Sequence, residues 1–140
     1  MYEPKYFLLF LTSQVSRKLA AYYNRELAEL GLTGKQMLCL GVLWFEEGVS
    51  LGMFAERAGL GKAAAVSMIK RLEKMGLVQR REHPEDGRLN ALYLTAAARR
   101  LTPKLSAKVN RLEDQLEQAL GVRRTRALHE ALRIIKGLDL

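Results

Sequence analysis

Apolar residues in the first part of the chain recur at steps of three and four, which is the spacing of one face of an α-helix. They are Phe7, Leu11, Val15, Leu19, Tyr23, Leu27 and Leu30. This pattern predicts one long helix from Pro4 to about Leu30 that ends at Gly31. Residues 6–11 are apolar on every side of the predicted helix, so we expect them to be buried on more than one side.

A second helix is predicted from the capping signal at Thr33 to about Glu46, with Met37, Leu40 and Trp44 facing inward. The single cysteine, Cys39, lies within it and is expected to be a small buried core residue without a redox role. One cysteine also excludes an internal disulfide framework.

Two shorter helices follow, in the stretches LGMFAERAG (51–59) and KAAAVSMIKRLEKMG (62–76). Ser50 is placed to cap the first of them, which stops at Gly59. The second carries Ala65, Ile69 and Leu72 on one face and stops at Gly76. Two short helices joined by a tight turn that contains glycine predict a helix-turn-helix.

The stretches LVQRREH (77–83) and LNALYLT (89–95) can form strands on either side of PEDG, and Asp-Gly is a strong hairpin turn signal. A hairpin directly after a helix-turn-helix predicts a wing. The preceding helix would then lie in the major groove of DNA, and an arginine at the tip, Arg88, would reach the minor groove or the backbone. Arg80 and Arg81 are expected on opposite faces of the first strand.

Thr95 is placed to cap a further helix whose apolar positions again alternate steps of four and three: Leu101, Leu105, Val109, Leu112, Leu116 and Leu120. Such spacing is typical of helices packed in bundles or coiled coils. Pro103 lies inside this helix and is expected to bend it. Gly121 interrupts this helix, and a last helix follows that carries Leu128, Leu132 and Ile135.

The element order predicts a mainly α fold with a small β-hairpin wing, a winged helix-turn-helix that dimerises through its N- and C-terminal helices. Its 140 residues are expected to form a single domain. Residues 1–31 and 101–140 would be the helical dimerisation region, and residues 32–100 the DNA-binding region. The apolar turns at residues 6–11 exceed what the small wing region could cover, which favours a homodimer.

The net charge of +8 indicates a polyanionic partner, and its distribution places that partner near the hairpin. Residues 60–104 hold ten basic and four acidic side chains, a balance of +6. We expect no enzyme activity, cofactor or metal site, because no phosphate loop, nucleophile–base pair or metal-ligand spacing is present. The short apolar run at residues 6–11 cannot span a bilayer, and we expect a cytoplasmic location.

The stretches LTGKQ (32–36), FAERAGLGKAAAVSMIKRLEKMGLVQR (54–80) and PEDGRLNALYLT (84–95) resemble the MarR family of transcriptional regulators. This resemblance implies a homodimer that binds a pseudo-palindromic operator, usually as a repressor released by a small ligand or an oxidant. It also implies that Arg88 enters the minor groove and that Asp86 helps to hold the wing's basic groups in place.

We expect double-stranded DNA to be contacted by the fourth helix and by the wing. The predicted contact residues are Lys62, Ala63, Ala64, Val66, Ser67, Lys70, Arg71, Lys74, Asp86 and Arg88. Members of the family often have Ser, Thr and Arg on the recognition helix where this chain has Ala63, Ala64, Val66 and Ser67. Since alanine cannot form a hydrogen bond to a base edge, we expect few hydrogen bonds between the recognition helix and the bases.

Two other functions remain open at this point. The alanine-rich recognition helix keeps open an architectural or weakly specific DNA-binding protein without an effector. A winged helix can also bind proteins, although the basic cluster argues against that function. A set of aromatic residues is expected to form core or dimer interface, or alternatively to line an effector pocket: Tyr2, Tyr6, Phe7, Phe10, Tyr22, Tyr23 and Trp44.

Overall fold

The computed structural model describes Glu3, residues 7–82, Glu85 and residues 90–140. The chain divides into two compact units, Met1–Thr102 and Pro103–Leu140. Across the described ranges, no helix combines the length and the apolar character needed to cross a membrane.

The first unit contains four helices and a short 3-10 turn, arranged in the predicted order. They are α1 (Leu8–Glu26), the 3-10 turn (Ala28–Leu30), α2 (Gly34–Phe45), α3 (Leu51–Ala58) and α4 (Lys62–Lys74). The predicted first helix is therefore shorter than expected, because its last turn tightens into the 3-10 turn before Gly31 (φ 70°). Residues 4–6, which we predicted as the start of this helix, lie outside the described residues.

Side-chain caps fix where α2 and α3 begin. Thr33 and Gln36 form a capping box: Thr33 Oγ1 accepts from the Gln36 N–H at 3.2 Å, and Gln36 Oε1 accepts from the Thr33 N–H at 3.0 Å. Ser50 Oγ accepts from the Met53 N–H at 3.2 Å. Each cap contributes about 1 kcal/mol by satisfying a backbone donor that the helix leaves unpaired.

The core of the first unit is formed by apolar side chains from α2, α3, α4 and the hairpin, together with Leu27, which follows α1. Its largest fully buried members are Phe54, Leu27, Leu43, Ile69, Leu72, Leu92 and Cys39. Close contact between α1 and α2 depends on Gly34, whose N–H donates to Asn24 Oδ1 at 2.8 Å. A Cβ at position 34 would lie 3.1 Å from Tyr23 Cβ, so a larger residue would push the two helices apart.

The prediction that Trp44 faces inward is wrong. Met37 and Leu40 are buried as expected, but Trp44 is 44% exposed and Leu43 occupies the core instead. Residues 37–45 are all apolar or glycine, so no polar position along this part of α2 marks the solvent side. The neighbouring helices decide the buried face, and the sequence pattern alone could not.

The two strands, β1 (Val78–Glu82) and β2 (Asn90–Leu94), pair antiparallel, with Val78 opposite Leu94 and Glu82 opposite Asn90. Val78, Leu92 and Leu94 are buried, so one face of the hairpin belongs to the core. The predicted turn residues Asp86, Gly87 and Arg88 lie outside the described residues.

Helix α5 (Ala96–Leu120) begins at the predicted cap and continues through Pro103. Thr95 Oγ1 accepts from the Ala98 N–H at 3.2 Å, and its hydroxyl donates to the Gly76 carbonyl at 2.6 Å. This threonine therefore caps α5 and also fastens it to the end of α4.

The second unit consists of the later part of α5 and of helix α6 (Val122–Lys136), separated by Gly121 (φ 85°). Thr125 is buried and donates its hydroxyl to the Gly121 carbonyl at 2.9 Å. His129 Nε2 lies 3.1 Å from Glu113 Oε2, which links the two helices. The apolar residues predicted to line α6, Leu128, Leu132 and Ile135, are 37% to 45% exposed.

Candidate nucleic-acid interface

Helix α4 has one buried face and one exposed face. Ala65, Ile69 and Leu72 are each fully buried, as predicted. The other side is exposed and consists of Lys62, Ala63, Ala64, Ser67, Lys70, Arg71 and Lys74. Val66, also predicted as a contact, is half-buried and lies at the margin of the exposed face.

The exposed face of α4 changes character along its length. After Lys62, its first two turns expose the short side chains of Ala63, Ala64 and Ser67, whereas its last turns expose Lys70, Arg71 and Lys74. Cations near a helix C-terminus are favoured by the helix dipole, so the fold stabilises this basic cluster as well as presenting it.

An ion pair connects α4 to the hairpin. Arg80 Nε of β1 lies 2.9 Å from Glu73 Oε1 of α4, and roughly a third or less of each side chain is exposed. The pair neutralises the only carboxylate in the α4 sequence and fixes the first strand against the helix. Our sequence reasoning missed this role of Glu73. The sequence feature that could have indicated this ion pair is an acidic residue within an otherwise basic helix, seven positions before an arginine.

Arg80 and Arg81 point to opposite faces of β1, as predicted. The Arg81 guanidinium carbon lies 4.5 Å from the centre of the Tyr93 ring, a distance suited to a cation–π contact. Each face of the strand is thus held by one arginine.

The base of the hairpin is also held by the loop after α2. Gly48 N–H donates to the Leu92 carbonyl at 2.8 Å, and Leu92 N–H donates to the Val49 carbonyl at 2.9 Å. Gly48 has a φ of +82°, and a Cβ there would lie 2.9 Å from the Tyr93 hydroxyl oxygen. Only glycine fits this position without strain, so the loop and the hairpin behave as one piece.

Two ion pairs fasten the same loop to its neighbours. Arg57 Nε of α3 lies 3.0 and 3.1 Å from the two carboxylate oxygens of Glu46, and Arg99 of α5 pairs with Glu47. A groove beside these elements is lined by Ser50, Leu51, Gly52, Ala55, Glu56, Leu60, Lys62, Arg80 and Asn90. The start of α4 and the base of the hairpin therefore share one surface.

Cys39 does not belong to this surface. It is 1% exposed within α2, and burial raises the pKa of its thiol to about 11, although the charge of nearby Lys35 opposes the shift. Since the thiolate is the reactive form, this cysteine is poorly suited to sensing oxidants.

Both units also leave apolar side chains in contact with water. In α1 and the residue before it, these are Phe7, Leu8, Leu9, Phe10, Leu11 and Val15, with Leu9 79% exposed. In the second unit they are Val122, Leu128, Leu132, Ile134, Ile135, Leu138 and Leu140. Apolar surface of this extent usually marks a protein interface or a ligand site.

A helix-turn-helix followed by an antiparallel hairpin and flanked by further helices defines a winged helix-turn-helix protein. Residues 30–89 match the model of the MarR family. The organic hydroperoxide resistance transcriptional regulator of Bacillus subtilis (strain 168) is 33% identical over 88 residues. That match covers 63% of this chain and 60% of the relative's length.

Solved structures agree over a longer part of the chain. The transcriptional repressor CouR bound to a 23-mer DNA duplex has a TM-score of 0.84 and 27% identity, covering 93% of this chain and 92% of CouR. CouR from Rhodococcus jostii RHA1 bound to p-coumaroyl-CoA has a TM-score of 0.85 at 23% identity and covers 100% of this chain and 99% of that one, which supports the fold. All three comparisons identify the winged helix-turn-helix region as that of a MarR-family transcriptional regulator.

Proposed function

We propose that this protein is a DNA-binding transcriptional regulator that acts as a homodimer on a pseudo-palindromic operator, as a repressor released by a small ligand. The family consists of regulators of transcription rather than enzymes, and action on DNA implies a cytoplasmic location in a bacterium.

The exposed basic end of α4 is the observation that carries the proposal. Lys70, Arg71 and Lys74 extend from a helix whose opposite face is locked into the core. A rigid helix of this kind can enter the major groove while its cations neutralise phosphates and release counterions. Asp86 and Arg88 keep their proposed roles at the wing tip.

The exposed apolar residues of α1 and α6 support the homodimer. Fully burying one leucine contributes about 1.5–3 kcal/mol, and each unit leaves several such side chains in water. A second copy of the chain would cover them and set two recognition helices about 34 Å apart, which matches one turn of B-DNA.

The state of Cys39 favours a reversible ligand over an oxidant as the releasing signal. The protein has one cysteine, and it is buried with a raised pKa. By contrast, the Tyr22 hydroxyl is buried and has no hydrogen-bond partner among the described residues. A buried polar group without a hydrogen-bond partner can be satisfied by a bound molecule. The CouR neighbour of the same fold holds p-coumaroyl-CoA.

An architectural or weakly specific DNA-binding protein is the second candidate. The specific observation in its favour is that Ala63 and Ala64 are both exposed in the first two turns of α4. Neither residue can form a hydrogen bond to a base, which favours a protein that binds DNA with little sequence specificity.

Binding to a selected duplex and to a random duplex, compared over a range of salt concentrations, tests both candidates. A regulator should prefer the selected duplex by at least about a thousandfold, whereas an architectural protein should not. Arg71→Gln should reduce the salt slope by about 1, and Lys35→Gln, a matched exposed charge on α2, should leave it unchanged. Binding that is indifferent to salt, or equal slopes for the two variants, would contradict the interface proposed here.

A further inference from the structure

Given the proposed function, we infer that α4 reads thymine methyl groups, and that each operator half-site presents A·T pairs to Ala63 and Ala64. The inference concerns the base-reading part of the helix alone. The basic residues further along α4 would bind DNA of any sequence and carry the general affinity.

The positions of the two alanines follow from the buried face. Ala65, Ile69 and Leu72 fix the side of α4 that meets the core. At 100° per residue, Ala63 and Ser67 lie opposite that side, and Ala64 lies beside them. All three are exposed, so this is the part of the helix that faces outward between Lys62 and Lys70.

The chemistry of these side chains selects the feature that they can recognise. A methyl side chain has neither a donor nor an acceptor, and the only apolar feature that a base pair shows in the major groove is the C5-methyl of thymine. Ser67 can donate to or accept from several bases and therefore adds little selectivity. Short side chains also let the helix backbone approach the groove floor, which brings the methyl groups into contact.

The longer side chains of α4 are poorly placed to replace this readout. Helix-turn-helix proteins contact bases with the N-terminal residues of the recognition helix, whereas Lys70, Arg71 and Lys74 lie in its later turns. Lys62 is at the N-terminal end, but it lines the groove that also contains Ser50 and Arg80. These cations are positioned for phosphates, which carry no sequence information.

The test begins with selection of bound sequences from a pool of random duplexes, using the full-length protein. Each thymine in the recovered half-site is then replaced singly by deoxyuridine, which removes the methyl group and leaves the base pairing intact. The thymines under α4 should each lose about fourfold in affinity, the equivalent of one buried methyl group. Thymines outside the half-sites serve as controls and should show no change.

Protein variants assign each methyl to a residue. In Ala63→Gly, the loss of affinity caused by deoxyuridine should disappear at the thymine that contacts residue 63 and persist at the thymine that contacts residue 64. Ala64→Gly should give the reverse pattern. Because glycine loosens a helix, a thermal melt and an unchanged salt slope must show that each variant still folds and binds phosphates.

The possible outcomes separate this inference from the function on which it rests. Half-sites dominated by G·C pairs, uracil substitution without effect, or recovery of no preferred sequence would each overturn the thymine readout while leaving salt-dependent DNA binding in place. Failure to bind any duplex would reject the proposed function, and the thymine readout with it.

Discussion

The two units of the chain bury very different amounts of apolar surface. In the first unit, residues from α2, α3, α4 and both strands form a core that includes Leu43, Phe54 and Ile69, each fully buried. In the second unit, among the residues that the structure describes, Leu112 is the only buried hydrophobic side chain. Yet α6 has the apolar spacing of a core helix, with Leu128, Leu132 and Ile135 all partly exposed.

This difference indicates that the units depend on different partners. Apart from the exposed apolar residues at the start of α1, the first unit buries most of its apolar side chains in its own core and has side-chain caps at Thr33, Ser50 and Thr95, so most of its stability is internal. The second unit has apolar residues without a core to bury them, and we expect its stability to depend on a second copy of the chain.

Phe54→Ala should strongly destabilise the first unit. Phe54 is fully buried, and truncation to alanine leaves a cavity that costs about 3–5 kcal/mol. Met53→Ala is the matched control, because its side chain is 39% exposed on the same helix and should cost far less. Urea denaturation followed by circular dichroism measures both. Similar losses for the two variants would show that α3 does not anchor the core.

Leu132→Lys should weaken dimerisation while leaving the first unit folded. Leu132 is 45% exposed in the single chain, and covering it in a dimer would contribute about 1.5–3 kcal/mol. Glu130→Lys places the same new side chain on the opposite side of α6 and should have a smaller effect. Analytical ultracentrifugation over a range of concentrations compares their dissociation constants. A dimer unaffected by Leu132→Lys would mean that α6 is not covered by the second copy.

The caps and the recognition helix could be predicted from sequence because their causes are local. Thr33 has its partner Gln36 within one turn, and Gly59 with a φ of 67° ends α3 where the sequence placed the stop. The buried face of α4 was also predicted correctly, since Ala65, Ile69 and Leu72 follow helical spacing and Ser67, Lys70 and Lys74 mark the opposite side. In such segments the periodic pattern and the capping residues agree.

Features set by distant partners could not be predicted in the same way. Trp44 lies in an apolar stretch where every position could have faced the core, and tertiary packing selected Leu43. The pairing of Glu73 with Arg80 joins a helix to a strand, and no local rule chooses that partner over the lysines nearby. The roles of Asp86 and Arg88 rest on the family resemblance and remain predictions.

Arg80→Ala should weaken DNA binding by more than it weakens the fold. Loss of the Glu73 ion pair, which is largely but not fully shielded from water, should cost about 1 kcal/mol of stability at most. It also frees the carboxylate of Glu73 beside the phosphate-facing helix and releases β1 from α4. Glu73→Gln in the Arg80→Ala background should recover part of the affinity by removing the unpaired charge. Thermal melts and DNA titrations at one salt concentration decide this, and a fully additive double variant would show that the pair has no positioning role.

The smallest expected effect is the pH dependence that Cys39 gives to the free energy of unfolding. It tests whether water reaches the core of the first unit around this residue. Burial raises the pKa of this thiol from 9.0 to about 11, so the folded protein disfavours the thiolate more than the unfolded chain does. The contribution of this shift to stability is therefore complete only well below pH 9 and is lost progressively as the pH rises through 9 toward 11. Between pH 7 and pH 9 the loss should be about 0.4 kcal/mol, and it should steepen above pH 9. Cys39→Ala removes the titrating group, so the difference between the two proteins in free energy of unfolding, measured at each pH, isolates the effect of the thiol. A difference that stays constant from pH 7 to pH 10.5 would mean that the thiol titrates alike in the folded and unfolded states and that water reaches this part of α2.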